Sequence, residues 1–307
     1  MGEFMSKVLI LGQGLVGTAI GDYLAANPNY SVQTLGKSQL DLRNINALEK
    51  NLLSSNPDIL ILAAGVVGGI EKNIAEPYLL GTENSRIILN VIEMCTKLGI
   101  KKVINLVPAC VYPSNLPRRM KPEDLWSGPM EATSLPYSTT KILGITLVNA
   151  ARSQYKVNWI SVVATNLYGD DLTIETHKAH VIPSLLMKFT AARKEGLSEI
   201  TILGDGSPIR EFLHTDDFAS AIEFILDKEI FSDSVINVSG STSLSIKELS
   251  EVIKAVTKYE GQIRFANDGT NGAKVKLLDG SKILSFGWSP KISLQEGIAK
   301  VYGNFED

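Results

Sequence analysis

Val8-Leu-Ile-Leu11, followed without a break by Gly12-Gln13-Gly14-Leu15-Val16-Gly17, is the stretch that decides the fold. Four apolar residues read as a short buried strand, the three glycines as a turn, and the pattern running on through Leu24 as a helix. Strand, glycine turn and helix in that order present free backbone N–H groups and the positive end of a helix dipole to a pyrophosphate. Gly12 permits the tight turn, Gly14 lets backbone approach the phosphates, and Gly17 lets helix pack on strand. A dinucleotide is expected on Gly12 to Gly17.

Further apolar runs lie at 32–35, 58–63, 103–107 and 159–164, separated by helical stretches, the longest at 77–98 and 137–155. Strands alternating with helices imply a parallel sheet covered on both faces. Ile87, Val91, Ile142 and Ile145 are read as outward-facing residues of the two long helices, and so as the contact of a homodimer. Past Tyr168-Gly169 the pattern loosens. Residues 170–182 read as a polar loop with two of the three histidines, 183–194 as a helix, 200–203 as a strand, 216–226 as a helix and 235–239 as a strand. Helices at 245–259 and 293–304 start on candidate N-caps Ser245 and Ser293. The expected fold is α/β: a Rossmann-type doubly wound parallel sheet with a smaller mixed C-terminal substrate region. Residues 5–168 and 214–239 form the first unit, and 169–213 and 240–307 the second.

The bulk composition narrows the partners. The chain has 307 residues, 44% hydrophobic and 21% charged, with a net charge of −3 and no basic run, which argues against nucleic acid. No stretch has the roughly 20 apolar residues of a membrane span, and Val8–Leu11 is too short for a signal peptide. Met1–Phe4 read as a remnant ahead of a start at Met5. Two cysteines, Cys95 and Cys110, fit a reducing cytoplasm. No metal site is read.

The second strand ends in Thr34-Leu-Gly-Lys37, without the acid that would hold ribose hydroxyls. A carboxylate there would repel a 2′-phosphate and Lys37 attracts it, so NADP(H) is expected, with NAD(H) the alternative. Ala63, Ala64 and Gly65, after the third apolar run, join the cofactor set.

Tyr137-Ser-Thr-Thr-Lys141 puts Tyr and Lys on one helix face. An ammonium near a phenol stabilises the phenolate, which suits Tyr137 to exchange a proton with a sugar oxygen as hydride moves.

At this point the chain resembles the extended short-chain dehydrogenase/reductase family, and within it the GDP-L-fucose synthase subgroup, over nearly its whole length. The resemblance is carried by Val67-Gly-Gly-Ile70, Cys110-Val-Tyr-Pro113, Gly128-Pro129, Pro136-Tyr137, Thr165-Asn-Leu-Tyr-Gly169, His180-Val-Ile-Pro183, Arg210-Glu-Phe-Leu-His214, Lys276-Leu-Leu-Asp279 and Gly287-Trp288. It implies that Tyr137 is the acid for the C4 oxygen, that Lys141 holds the nicotinamide ribose, and that Cys110 and His180 are the acid/base pair for epimerisation. It further implies that Asp41 and Leu42 contact adenine, and that Asn166, His180, Lys188 and Arg210 bind substrate. A thiol and an imidazole both titrate near neutrality, as proton transfer beside a carbonyl requires.

The chain also departs from that pattern. The family's Ser-Ser-Cys is Pro108-Ala109-Cys110 here, without a hydroxyl for the reacting oxygen. A lost donor of that kind costs about 10²–10³ in rate; Thr133, Ser134 and Ser138 are possible replacements. Lys188 stands for the family's arginine, Leu203 for its tryptophan, and Gly269-Thr-Asn-Gly272 for its Lys-Pro-Asp-Gly. The glycine fingerprint is one residue shorter than usual. The expected activity is NADP(H)-dependent epimerisation and reduction of a GDP-4-keto-6-deoxy-hexose. The alternatives are a single-step C4 reductase, C4 dehydrogenase or epimerase acting on another nucleotide sugar, and a non-catalytic cofactor-binding protein.

Overall fold

In a computed structural model, residues 5–170, 181–240, 242–266 and 273–306 are described. The first half alternates β1 (Ser6–Leu11), α1 (Leu15–Ala25), β2 (Tyr30–Leu35), α2 (Ile45–Ser55), β3 (Ile59–Leu62), the short α3 (Ile70–Ala75), α4 (Pro77–Lys97), β4 (Lys102–Pro108), α5 (Leu135–Tyr155) and β5 (Asn158–Ala164). The second half runs β6 (Asn166–Tyr168), α6 (Val181–Lys194), β7 (Glu199–Leu203), β8 (Ile209–His214), α7 (Thr215–Asp227), β9 (Val235–Val238) and β10 (Ser243–Ser245). It ends with α8 (Ile246–Thr257), β11 (Gln262–Ala266), β12 (Val275–Lys276), α9 (Ser281–Ser285) and α10 (Leu294–Glu306).

The main sheet has the order β2-β1-β3-β4-β5-β9, and all its pairings are parallel. Side chains alternate along a strand, so β1 divides its residues between two cores. Val8 and Ile10 pack with Ile20 and Leu24 of α1 and with Phe218 and Ile222 of α7. Leu9 and Leu11 pack on the other face with Leu48 and Leu52 of α2 and with Ile88 and Val91 of α4. Each such side chain stabilises the fold by about 1.5–3 kcal/mol when fully buried. Both faces are covered, as a doubly wound sheet requires. The strand order reverses between β1 and β3, and the crevice at their carboxyl ends is where this architecture receives ligands.

One expectation is corrected here. Ile87, Val91, Ile142 and Ile145 do not face outward; they are 7%, 0%, 4% and 2% exposed. Ile87 and Val91 close the core over β1 and β3, while Ile142 and Ile145 pack with Val107 and Val163. Helical periodicity marks an apolar stripe, and a buried parallel sheet claims that stripe first.

The second half builds its own core from Ile182, Leu186 and Phe189 of α6, Phe212 of β8, Leu249 and Ile253 of α8, and Ile298 and Val301 of α10. Its sheets are small: β10-β8-β12 with β6 also on β8, and the pair β11-β7. Helix α8 begins on a capping box in which Ser245 and Glu248 satisfy each other's backbone N–H groups. The strand β8, which organises this region, has no alternating pattern, since its last four residues are all buried. No helix among the described residues is long and apolar enough to cross a membrane.

Candidate active site

The glycine turn is shaped by close contacts. Gly12 has φ +120°, and a Cβ there would lie 2.5 Å from the Ala64 backbone nitrogen. A Cβ on Gly17 would lie 1.8 Å from the Gly12 carbonyl oxygen, so α1 rests directly on the turn. Gly14 differs: its backbone is extended, and nothing lies within 4 Å of where its Cβ would be. Gly14 is also the N-cap of α1 and provides no side-chain cap. Open space in front of uncapped N–H groups is what a pyrophosphate needs. Gln13 is exposed, and Leu15 and Val16 are half-buried at the mouth of α1.

At the end of β2, Lys37 is exposed. Asp41 is ion-paired with Arg43, which also bridges to Glu83. Hydrogen bonding from Arg43 holds the Asp41 carboxyl down at about 2. The Leu42 side chain is buried in the core, while its carbonyl accepts from Asn90 at 2.9 Å. Ala63, Ala64 and Gly65 follow β3 beside the turn. The buried Asn84 of α4 clamps this loop: its Oδ1 accepts from the Val66 N–H and its Nδ2 donates to the Val66 carbonyl, both at 2.9 Å. Asn84 was not singled out from sequence, because an asparagine inside a helix carries no motif.

Lys141 projects from α5 to this loop, its Nζ 3.4 Å from the Ala64 carbonyl oxygen and 5.7 Å from the Tyr137 ring centre. Burial pulls the Lys141 ammonium down to about 8, opposed by the Cys110 charge. Tyr137 does not show the lowered value expected beside a lysine. Burial pushes its phenol up, and Cys110 adds to the effect. Desolvation of the phenolate in this buried site sets the direction of the shift.

Cys110 stands in a single turn of 3-10 helix, Ala109–Val111, directly after β4. It is a free, half-buried thiol. Burial pushes it up, while a hydrogen bond with Ser138 and the charges of Lys276 and Lys141 oppose that rise. His180 and Gly269–Gly272 lie outside the described residues.

On the substrate side, β8 and β12 pair with Arg210 and Lys276 in register. Lys276 Nζ lies 3.0 Å from Glu131 Oε2. Arg210 is half-buried and donates to the Ile209 carbonyl at 2.9 Å; burial lowers its guanidinium, and Glu131 offsets part of that. Lys276 and Glu131 are therefore neighbours of Cys110 that the sequence reading did not assign. Lys276 stood within a family segment, but only the β8–β12 pairing puts it beside Arg210. Asn166 donates to the Glu211 carbonyl at 2.8 Å. The Lys188 ammonium bonds the Thr201 carbonyl, and Leu203 is 69% exposed.

The model of the NAD dependent epimerase/dehydratase family matches residues 8–239. The chain is 36% identical to the putative GDP-L-fucose synthase 2 of Arabidopsis thaliana over 98% of this chain and 93% of that protein. It is 32% identical to the GDP-L-fucose synthase of Escherichia coli K12, covering 96% and 95% of the two chains. A GDP-mannoheptose C4 reductase from Campylobacter jejuni, solved with NADP bound, superposes with a TM-score of 0.88 at 29% identity, covering 99% of both chains.

Proposed function

The chain belongs to the NAD dependent epimerase/dehydratase family, and on that premise we propose that it is an NADP(H)-dependent epimerase/reductase of a GDP-linked 4-keto-6-deoxy-hexose. The observation that carries this reading is the adjacency of two proton-handling centres under one cofactor cradle. Tyr137 and Lys141 share a face of α5, and the Cys110 thiol lies within electrostatic reach of both. The names of the relatives support the GDP-sugar, and the NADP-bound neighbour supports the cofactor.

NADP(H) supplies the hydride. The N-terminus of α1 with Gly14 holds its phosphates, Lys37 attracts the 2′-phosphate, and Lys141 with the Ala63–Gly65 loop meets the nicotinamide end. Asp41 and Leu42 border the adenine. Tyr137 gives a proton to the C4 oxygen. Cys110 and His180 move the proton on the carbon beside the carbonyl, one on each face. Arg210, whose guanidinium suits paired phosphate oxygens, meets the diphosphate; Asn166 and Lys188 complete the substrate set. Residues 5–168 and 214–239 serve as the cofactor unit, and 169–213 with 240–307 as the substrate unit.

A second reading, C4 reduction alone on a different nucleotide sugar, is favoured by two observations. Lys188 is engaged with Thr201, and Leu203 offers no ring for a base. A panel of GDP-, UDP-, CDP- and dTDP-linked 4-keto sugars, followed for NADPH loss and for deuterium uptake from solvent, separates the readings. Reduction with exchange on the GDP sugar supports the first, and reduction without exchange the second. Inactivity on the whole panel rejects both.

Assembly as a homodimer remains part of the proposal. Its contact moves to the exposed Leu79 and Leu89 of α4 and Leu135 of α5, which are 43%, 46% and 44% exposed. Free thiols at Cys95 and Cys110 fit a cytoplasmic location.

A further inference from the structure

Arg210 and Glu211 follow one another on β8, and side chains alternate along a strand, so the two point to opposite faces. Arg210 shares its register with Lys276 of β12. Glu211 points the other way and is 0% exposed. A carboxylate that deep needs a partner. The partner is Arg119, from the segment between β4 and α5. Arg119 Nη1 lies 2.7 Å from Glu211 Oε1 and also donates to the Leu278 carbonyl at 2.8 Å. The Leu278 N–H donates to Glu211 Oε2 at 3.4 Å. One nitrogen and one carboxylate thus close around the backbone of Leu278, two residues beyond Lys276.

Further bonds tie this knot to the rest of the site. The Met120 N–H donates to the Leu277 carbonyl and the Asp279 N–H to the Met120 carbonyl, both at 2.8 Å. Asn237 of β9 is 1% exposed, and its Nδ2 donates to the Met120 and Asp279 carbonyls at 2.8 and 3.2 Å. Its Oδ1 accepts from the Tyr112 hydroxyl at 2.7 Å, two residues after Cys110. The Glu211 carbonyl accepts from the side chains of Thr165 and Asn166 at 3.0 and 2.8 Å. The main sheet, the Cys110 turn and the Arg210–Lys276 pair therefore meet at one buried ion pair. Strand β12 itself spans only Val275 and Lys276, too short a ladder to keep its register on β8 unaided.

We propose that Arg119 and Glu211 are positioning residues, an ion pair that fastens β12 to β8 and so fixes Arg210, beside Lys276, for the diphosphate of the nucleotide sugar. Neither residue touches the ligand; they act through the register of the two strands. The Arg119 side chain is 42% exposed, so it can be replaced without opening a cavity in the core. Removing it leaves the Glu211 charge buried and unpaired, and the backbone of Leu278 loses a donor. The inference rests on the reading of Arg210 as the group that meets the diphosphate.

Two measurements on the intact protein test this. Hydrogen–deuterium exchange, read by mass spectrometry on the peptide over residues 275–280, reports the fastening of β12. Calorimetric titration with GDP, set beside NADPH titration, reports the diphosphate site. Arg119→Met should speed exchange of that peptide at least about tenfold. It should also weaken GDP about tenfold, within the range for a residue that acts through others, and leave NADPH affinity unchanged. Arg119→Lys should restore both, because a single nitrogen makes both contacts and an ammonium can stand in its place. Glu211→Gln keeps the shape, discharges the buried group and should act in the same direction, which keeps the test available if Arg119→Met does not fold. The double variant should lose less than the two single losses combined. Unchanged exchange in both single variants overturns the proposal. So does faster exchange with undiminished GDP affinity, or an equal loss of GDP and NADPH affinity, which would make the pair a stabiliser of the fold alone. Failure of the diphosphate reading shows separately, as GDP affinity unchanged in Arg210→Ala.

Discussion

The Lys141 ammonium nitrogen lies 5.7 Å from the centre of the Tyr137 ring, and Lys141 is only 4% exposed. With its value drawn down to about 8 by burial, the folded chain holds this proton less tightly than the unfolded chain, whose lysine titrates near 10.4. The unfolded state binds more protons between those values, so this group's contribution to stability rises from pH 8 to 10.4 and is unfavourable below. Lys141→Met should therefore stabilise the cofactor-free protein at pH 7 by about 2 kcal/mol, allowing for the lost bond to Ala64. The advantage should shrink above pH 8, and NADPH oxidation should be abolished. Thermal melts of both proteins at pH 7 and pH 9.5 check it; an equal gap at the two pH values refutes it.

Gly14 and Gly17 should separate binding from folding. Gly14→Ala meets nothing within 4 Å and keeps extended backbone, so its melting temperature should stay within about 1 °C of wild type. Its methyl enters the phosphate space, and NADPH affinity should fall at least about tenfold, or about 1.4 kcal/mol. Gly17→Ala puts a carbon 1.8 Å from the Gly12 oxygen and should destabilise the fold by about 3 kcal/mol or more. Melts and fluorescence titration on both variants give the comparison.

Lys37 sets the cofactor preference. It is exposed after β2, where no carboxylate stands to repel a 2′-phosphate. NADPH should bind more tightly than NADH, and Lys37→Glu should reverse the order. Equal effects of that substitution on the two cofactors would assign Lys37 to the solvated surface.

The two chemistries should come apart by mutation. Tyr137→Phe should lower NADPH oxidation by about 10²-fold or more while sparing much of the solvent deuterium exchange. Cys110→Ala should do the opposite, with NADPH binding intact. NMR for exchange and absorbance for NADPH, on the same samples, read both.

His214 should give the fold an acid limit. Its side chain is buried, and its Nδ1 accepts from the Asp216 N–H at 3.1 Å as the N-cap of α7. That bond needs an unprotonated Nδ1, and burial lowers the His214 value below 6.5. A lowered value means that the unfolded chain takes the proton first. The contribution is complete above about 6.5 and is lost as the pH falls through the folded value. His214→Asn keeps an N-cap acceptor without the titration, so melting temperature followed from pH 7.5 to 5 should fall less steeply in the variant. Parallel curves would remove His214 as the cause.

Much of this protein is local and can be read from the chain. Val8–Leu11 with Gly12, Gly14 and Gly17 determined a strand, a turn and a helix, because residue type and short-range spacing set those shapes. Tyr137 and Lys141 were bound to share a helix face for the same reason. The alternation of strands and helices determined a parallel sheet covered on both sides. Closure of the chain decided the rest. It turned Ile87, Val91, Ile142 and Ile145 inward, since a periodic stripe says that a helix has an apolar face but not which surface takes it. It set Lys276 beside Arg210 through a pairing of strands 66 residues apart in register. It turned the Ser138 hydroxyl to the Ser134 hydroxyl, 3.2 Å away. It also reversed the expected shift of Tyr137, because burial is a property of the packed site, and the cost of charge in that site is set by everything around it.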